Sequence, residues 1–291
     1  MWRIVRILTI IKVVPVNNMN FSQYSPFSWA TLMALVSWCV VPLTFFWTSE
    51  WWVNEEIAKS PSTARGIFEY FTFYLNCISM GLTLLIGPHI LALLLKKCTG
   101  LIDLEKMPLP RRQWMIWLSG PILLLGVAID NFGWSVVLQN NPEISWEVAA
   151  ILCCVPNTLL AAMFCLVQTS MILISCSVLT YFVEMFEDLK YSYPNIEEIW
   201  TVCETYEEVA NIISIFYMLL FATSSTTIMV LSFLMYYNWG LIVSFICCSA
   251  GILSGSLVLL CVTLQADDCH GAINALILHI RCKSYKTDCH A

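Results

Sequence analysis

The residue types best suited to chemistry in this chain are the cysteines and histidines of its C-terminal segment. They are Cys269, His270, His279, Cys282, Cys289 and His290. Four thiolate or imidazole ligands are enough to hold a structural zinc ion. The spacing here matches no zinc finger or ribbon, and the side chains of the consecutive residues Cys269 and His270 would diverge on a helix. We therefore predict no metal site and no cofactor.

A second set of polar groups lies within apolar stretches. Asp130 and Asn131 fall near one end of such a stretch, and His89 follows Gly87-Pro88. Charged residues in or beside a membrane span are costly and often functional, so Asp130 could meet a polar ligand or a cation; it could equally lie in water at the headgroup level. His89 is better suited to capping carbonyls freed by the proline. No Gly-rich phosphate loop, His-Glu-x-x-His or Gly-x-Ser-x-Gly sequence occurs, and we expect no enzymatic activity.

The chain that positions these groups is strongly apolar. Of its 291 residues 59% are hydrophobic and 12% are charged, whereas a soluble domain is about half apolar and a quarter charged. We predict an all-α polytopic membrane protein with six transmembrane helices, because a span needs about 20 apolar residues. The predicted spans are residues 27–49, 68–95, 114–138, 148–179, 211–237 and 240–265.

The basic residues predict an orientation. Of the 14 lysines and arginines, all but Lys59 and Arg65 fall in segments that six spans place on one side. The positive-inside rule then puts both termini in the cytoplasm, and we expect a multi-pass protein of the plasma membrane. Residues 1–26 form a cytoplasmic amphipathic segment, with a helix on the membrane surface over its first 16 residues. Spans one to four occupy residues 27–179, and spans five and six occupy residues 211–265.

Two cytoplasmic segments, residues 180–210 and 266–291, carry apolar residues at helical spacing. The first face consists of Ile196, Ile199, Trp200 and Cys203. The second consists of Ile273, Leu276, Ile277 and Ile280. The first pattern predicts that spans four and five project beyond the bilayer as helices. The second predicts a separate amphipathic helix, with Asp267 and Asp268 at its N-terminus, packed against those projections. A helix lying on lipid is the alternative.

This layout resembles the arthropod gustatory-receptor family, whose fold is shared with insect odorant receptors. The resemblance rests on the opening WRIVRILTIIKVVPVNN, on residues 200–237 (WTVCETYEEVANIISIFYMLLFATSSTTIMVLSFLMYY), on the short outer loops and on the helix after the sixth span. It covers essentially the whole chain and depends more on layout than on a motif.

The resemblance implies a ligand-gated, non-selective cation channel that assembles as a homo- or hetero-tetramer of related subunits. Membrane lipid and a small-molecule tastant are the implied partners, and nucleic acid is not. The cytoplasmic helix ends would form an anchor between subunits. The anchor contacts would come from Ile196, Ile199, Trp200, Ile273, Leu276, Ile277 and Ile280.

The ligand pocket of the family lies in the outer half of each helix bundle. In this sequence the layout brings six candidates to one height. They are Tyr74, Asp130, Trp134, Asn157, Phe233 and Tyr236. Pockets for small molecules are mostly apolar with a few polar groups, which this set provides. Aromatic residues near span ends are also typical of lipid-facing belts.

The sequence departs from the family at the seventh helix, which lines the pore. No seventh apolar span is present, and Thr180-Tyr181 lacks the Gln-Phe that completes the family's motif. We therefore expect a truncated gene model, a short isoform or a non-conducting modulatory subunit as alternatives to a channel. A small-solute transporter is a further alternative, although it predicts an internal repeat that the sequence does not show.

Overall fold

One helix, buried along most of its length, organises the fold. The structure is a computed structural model that describes residues 2–10, 12–14, 29, 31–32, 35, 63–99, 107–139, 155–191, 196–237 and 242–288. Throughout these residues every regular element is helical. The helices are α1 (Trp2–Ile10), α2 (Thr63–Thr99), α3 (Gln113–Gln139), α4 (Val155–Tyr191), α5 (Ile196–Tyr237) and α6 (Ile242–Asp288).

The buried helix is α4. In its apolar segment, Thr158–Tyr191, 72% of the residues are buried inside the protein. Four of its hydroxyl groups lie in this interior, and each donates a hydrogen bond of 2.6–2.8 Å to the carbonyl four residues earlier. The donors are Ser170, Ser175, Ser177 and Thr180. Such bonds satisfy a hydroxyl where water is absent, so these four hydroxyls pass through the core with a hydrogen-bond partner each.

Contacts between helices fix their directions. On α6, Ser254 contacts Ser119 of α3 and Cys269 contacts Tyr206 of α5, while Gly251 lies against Leu231 of α5. Because residue numbers rise along α6 as they fall along α3 and α5, both pairs are antiparallel. Lys97 in the last turn of α2 contacts Glu208 of α5, and Thr180 in the second half of α4 contacts Gln265 of α6. The C-terminal ends of α2, α4 and α6 therefore lie with the N-terminal ends of α3 and α5. We call this the charged end of the bundle, and the opposite side the far end.

The interface between α3 and α6, which we call the heptad seam, has a seven-residue repeat. Ser254 Oγ donates to the carbonyl of Ser119 at 2.8 Å, and Cys247 Sγ donates to the carbonyl of Gly126 at 3.2 Å. A step of seven residues towards the N-terminus of α6 thus corresponds to a step of seven residues towards the C-terminus of α3. A Cβ added at Gly126 would lie 3.0 Å from the Cβ of Ala250. Small residues repeated at this spacing let two helices approach closely.

Five of the six predicted spans overlap the helices α2 to α6. Four helices are long and apolar enough to cross a membrane, through the segments Gly81–Cys98, Thr158–Tyr191, Glu197–Met229 and Phe245–Arg281. They correspond to the predicted spans two, four, five and six. The third span falls in α3, where Gln113–Ile129 is a shorter apolar helix. The first span lies outside the described residues except for Trp29, Thr31, Leu32 and Leu35, which are helical.

The prediction of a separate C-terminal helix is wrong. The helix α6 runs from Ile242 to Asp288 without interruption, so Asp267 and Asp268 lie in its middle and not at an N-terminus. Residues 266–288 contain no proline. Their one glycine, Gly271, is tolerated within a helix at a cost of about 1 kcal/mol. Acidic side chains favour a helix start but do not create one, so the helix of the sixth span continues through them.

The helix α1 is shorter than the predicted one and has one face in the core. It ends because Lys12 adopts a left-handed conformation with φ of 57°. The N–H groups of Lys12 and Val13 then donate to the carbonyls of Thr9 and Leu8 at 3.2 and 3.0 Å, which is a Schellman motif without glycine. Val5 and Leu8 are buried in the protein core. The place of α1 relative to the membrane surface stays a prediction.

Replacing Gly126 with alanine tests the heptad seam. The new methyl group would force α3 away from the Cβ of Ala250, and we expect a loss of about 1–2 kcal/mol in the free energy of unfolding, as for an overpacked core. Gly271→Ala is the control, because a Cβ there meets nothing within 4 Å; it should be neutral or stabilising. Unfolding in mild detergent is the measurement. Adding Ala250→Gly should reduce the loss of stability that Gly126→Ala causes, because it removes the methyl group in contact. If the loss is unchanged in the double variant, the contact with Ala250 is not its cause.

Candidate functional site

The six residues predicted to bind a ligand lie on four helices at the far end of the bundle. Tyr74 is in the first half of α2, Asn157 is in the first turn of α4, and the rest are in the last halves of α3 and α5. The latter are Asp130, Trp134, Phe233 and Tyr236. The antiparallel order of the helices accounts for this shared level. All six side chains lie outside what the structure describes, so their convergence on a pocket stays a prediction.

The described chemistry is concentrated at the charged end, where two ion pairs join helices. Arg112 lies just before α3, and its two terminal nitrogens donate hydrogen bonds to the carboxylate of Asp268 on α6. The distances are 2.5 Å from Nη1 to Oδ2 and 3.4 Å from Nη2 to Oδ1. Nη1 also donates to the carbonyl of Leu264 at 3.4 Å. The hydrogen bond that Arg112 donates to Asp268 raises the pKa of Arg112, so its charge is permanent. The second pair joins Lys97 Nζ of α2 to Glu208 Oε2 of α5 at 2.7 Å.

Next to these ion pairs, aromatic rings and a thiol hold α4, α5 and α6 together. The Tyr206 ring of α5 meets both Phe182 and Phe186 of α4 edge-on, with centroids 5.4 Å apart and planes at 74°. Its hydroxyl accepts a hydrogen bond from Cys269 Sγ of α6 at 3.4 Å. Edge-to-face rings are a favourable geometry, and the hydroxyl of the half-buried Tyr206 has a hydrogen-bond partner. The three helices are thus fixed to each other beyond the middle of the bundle.

The residues predicted to form the anchor divide into covered and uncovered ones. Leu276 is buried, and Ile199 and Ile273 are half-buried. Trp200, Ile277 and Ile280 are 71%, 43% and 39% exposed. The side chain of Ile196 lies outside the described set. Only part of each predicted face is therefore used within one subunit, and contacts of the remainder with other subunits stay a prediction.

A cleft of about 360 Å³ opens between α4 and α6 at the charged end. Its charged lining comes from four residues, Arg111, Glu187, Lys190 and Asp268. The rest of the lining is apolar or small and consists of Val183, Phe186, Tyr191, Gly271, Ala272 and Ala275. A hole of about 10 Å³ adjoins the cleft and shares Arg111, Val183 and Asp268 with it. At its inner side Gln265 Nε2 donates to Thr180 Oγ1 at 3.4 Å, and both residues are buried.

The C-terminal cysteines and histidines are not assembled into a metal site where the structure describes them. Across the described residues no three His, Cys, Asp or Glu side chains come together as a metal would require. The side chains of Cys282, Cys289 and His290 lie outside this set. Within it, His279 Nε2 is buried without a hydrogen-bond partner. Cys269 bonds to Tyr206, which gives this thiol a structural role between α5 and α6.

The sequence interpretation missed the groups that organise the charged end. It placed Asp268 at a helix start and gave no role to Arg112, Gln265 or Thr180. A usable signal was present: Cys247, Ser254, Cys261 and Asp268 recur every seven residues, and so do Arg112, Ser119 and Gly126. Two heptad patterns of small and polar residues in apolar segments indicate two helices that pack face to face.

Removing the carboxylate of each ion pair should give unequal losses of stability. The side chains of Arg112 and Asp268 are 29% and 31% exposed, against 44% and 51% for Lys97 and Glu208. We expect Asp268→Ala to lower the free energy of unfolding by about 1–2 kcal/mol and Glu208→Ala by less than about 0.5 kcal/mol, because exposed pairs are screened by solvent. Denaturation at low and high salt measures both. Equal losses would show that the Arg112–Asp268 contact is no stronger than an ordinary surface pair.

The class of the protein follows from its helices, four of which are long and apolar enough to cross a membrane. The described structure is therefore consistent with a helical, multi-pass membrane protein. Comparison with known proteins adds no family to this class: no protein-family model, no curated protein and no solved structure matches the chain.

Proposed function

We propose that the chain is a subunit of a gustatory-type chemosensory receptor. It binds a small-molecule tastant at the far end of the bundle and, in a complete tetramer whose pore-lining helices come from related subunits, gates a non-selective cation pore in the plasma membrane. One observation carries the proposal: α4, α5 and α6 continue together as packed helices well past the length that a bilayer needs. This is the layout on which the resemblance to gustatory receptors rests.

The lengths of the helices support this layout. With 42 and 47 residues, α5 and α6 are about 63 and 70 Å long at 1.5 Å per residue. The hydrocarbon core of a bilayer is about 30 Å thick. Each helix thus has about half of its length outside the hydrocarbon, and the aromatic cluster around Tyr206 lies in the half at the charged end. We assign this half to the cytoplasm, in keeping with the positive-inside rule.

The uncovered residues of this half support an anchor between subunits. Trp200 is 71% exposed, and Ile277 and Ile280 are also exposed. In water, covering a large apolar side chain lowers the free energy. Groups of exposed apolar residues therefore mark sites of contact with other proteins. Tryptophan is also one of the residue types enriched among the residues that contribute most to the energy of interfaces. A second subunit packed on these residues would complete the anchor.

The assembly is tested with Trp200→Ala in the purified full chain. We expect the variant to shift the population from tetramer to monomer by about tenfold, because a tryptophan anchor contributes at least about 1.4 kcal/mol to an interface. Trp117→Ala is the matched control, since Trp117 is 50% exposed on the apolar segment of α3. Native mass spectrometry counts the subunits. A monomeric wild-type chain, or equal effects of the two variants, would remove the anchor from the proposal.

The receptor function is tested by whole-cell recording from cells that express the chain together with related receptor subunits that supply the pore-lining helix, with sucrose, caffeine and quinine as probes. We expect a tastant-evoked current that Na⁺ and K⁺ carry alike. Alanine at Trp134 or Tyr236 should then weaken the response, while Trp114→Ala, at the charged end, should not. A tetramer without current would favour the modulatory subunit, and tastant uptake into liposomes without current would favour the transporter. Unchanged responses in all six far-end variants would place the ligand elsewhere.

A further inference from the structure

We propose that the cleft between α4 and α6 binds the headgroup of phosphatidylserine from the membrane leaflet at the charged end. The inference requires that the chain is embedded in a membrane, and it does not depend on the receptor function. It concerns the opposite end of the bundle from the predicted tastant site.

The charges of the cleft match this headgroup in number and sign. Asp268 is already paired with Arg112, which leaves Arg111, Lys190 and Glu187 to face a ligand. Among the described residues neither Arg111 nor Glu187 has an ion-pair partner, and Lys190 Nζ lies 5.6 Å from the ring centre of Tyr191. Phosphatidylserine carries a phosphate, a carboxylate and an ammonium group. Two cations can meet its two anions, and Glu187 can meet its ammonium.

The interior of the cleft offers room and polar partners. The side of α6 that faces it carries Gly271, Ala272 and Ala275, whose small size keeps the space open; a Cβ at Gly271 would meet nothing within 4 Å. The adjoining hole of about 10 Å³ reaches the buried Gln265 and Thr180. That volume is about the size of one water molecule, which could link these side chains to a phosphate oxygen.

The position of the cleft favours a lipid over a soluble phosphate compound. Arg111 lies two residues before α3, and Lys190 is next to the last residue of the apolar segment Thr158–Tyr191. Cations at the ends of apolar helices lie at the level of lipid headgroups, and basic pockets between such helices bind anionic lipids. Val183 and Phe186 add an apolar wall just beyond the hydrocarbon, against which the glycerol of the lipid can pack.

The test is lipid retention by the full chain in native mass spectrometry, with phosphatidylserine, phosphatidylglycerol and phosphatidylcholine added in equal amounts. We expect retention in that order. Arg111→Gln and Lys190→Gln should each weaken binding of phosphatidylserine about fivefold, the effect of one cation near a membrane surface. Lys97→Gln removes a cation of the same end that lies outside the cleft, and it should leave retention unchanged.

Glu187→Gln separates this headgroup from general attraction to anions. Without the carboxylate, phosphatidylserine should lose its advantage over phosphatidylglycerol, which has no ammonium group. Equal retention of these two lipids by the wild-type chain would overturn the proposal, and so would an effect of Lys97→Gln as large as that of Lys190→Gln. Displacement of the lipid by millimolar O-phosphoserine would show that the cleft takes soluble phosphate compounds, which would overturn its assignment to lipid.

Discussion

The absence of water among apolar helices is the constraint on which the rest of this structure depends. A polar group buried there needs a partner within the protein, because an unpaired one costs several kcal/mol. The buried hydroxyls of α4 meet this demand within their own helix. The buried hydroxyl of Ser254 on α6 meets it across the heptad seam, where it donates to a carbonyl of α3. The Ser254 bond removes the polar cost and also joins α6 to α3 as its neighbour.

The two ends of the bundle use this frame differently. At the charged end, ion pairs, edge-on rings and a thiol replace the small-residue contacts of the seam. Charge can be exposed at this level, so salt bridges and an open cleft are compatible with the fold. The far end collects the predicted tastant residues on four helices. A continuous α6 joins the two ends in one rigid element.

Much of the architecture could be predicted from composition and hydropathy, because these determine which segments can cross a bilayer. Four of the predicted spans lie in long apolar helices of the structure. Helix ends were less predictable: two aspartates at 267 and 268 looked like a start, yet nothing before them stops the helix. The Arg112–Asp268 pair joins residues 156 positions apart, and the cleft depends on how α4 and α6 pack. Neither can be read from local patterns alone.

A repeat of small residues has a property that an irregular interface lacks, namely that it nearly matches itself after translation. Sliding α6 along α3 by one heptad, about 10.5 Å, would again oppose small residues to small residues. Packing of the seam alone therefore leaves several alignments close in energy. Arg112 and Asp268 break this degeneracy, since one slide separates the charges and leaves both without a partner. Like a single polar residue in a coiled coil, the pair selects one alignment, and its main contribution is to uniqueness more than to strength.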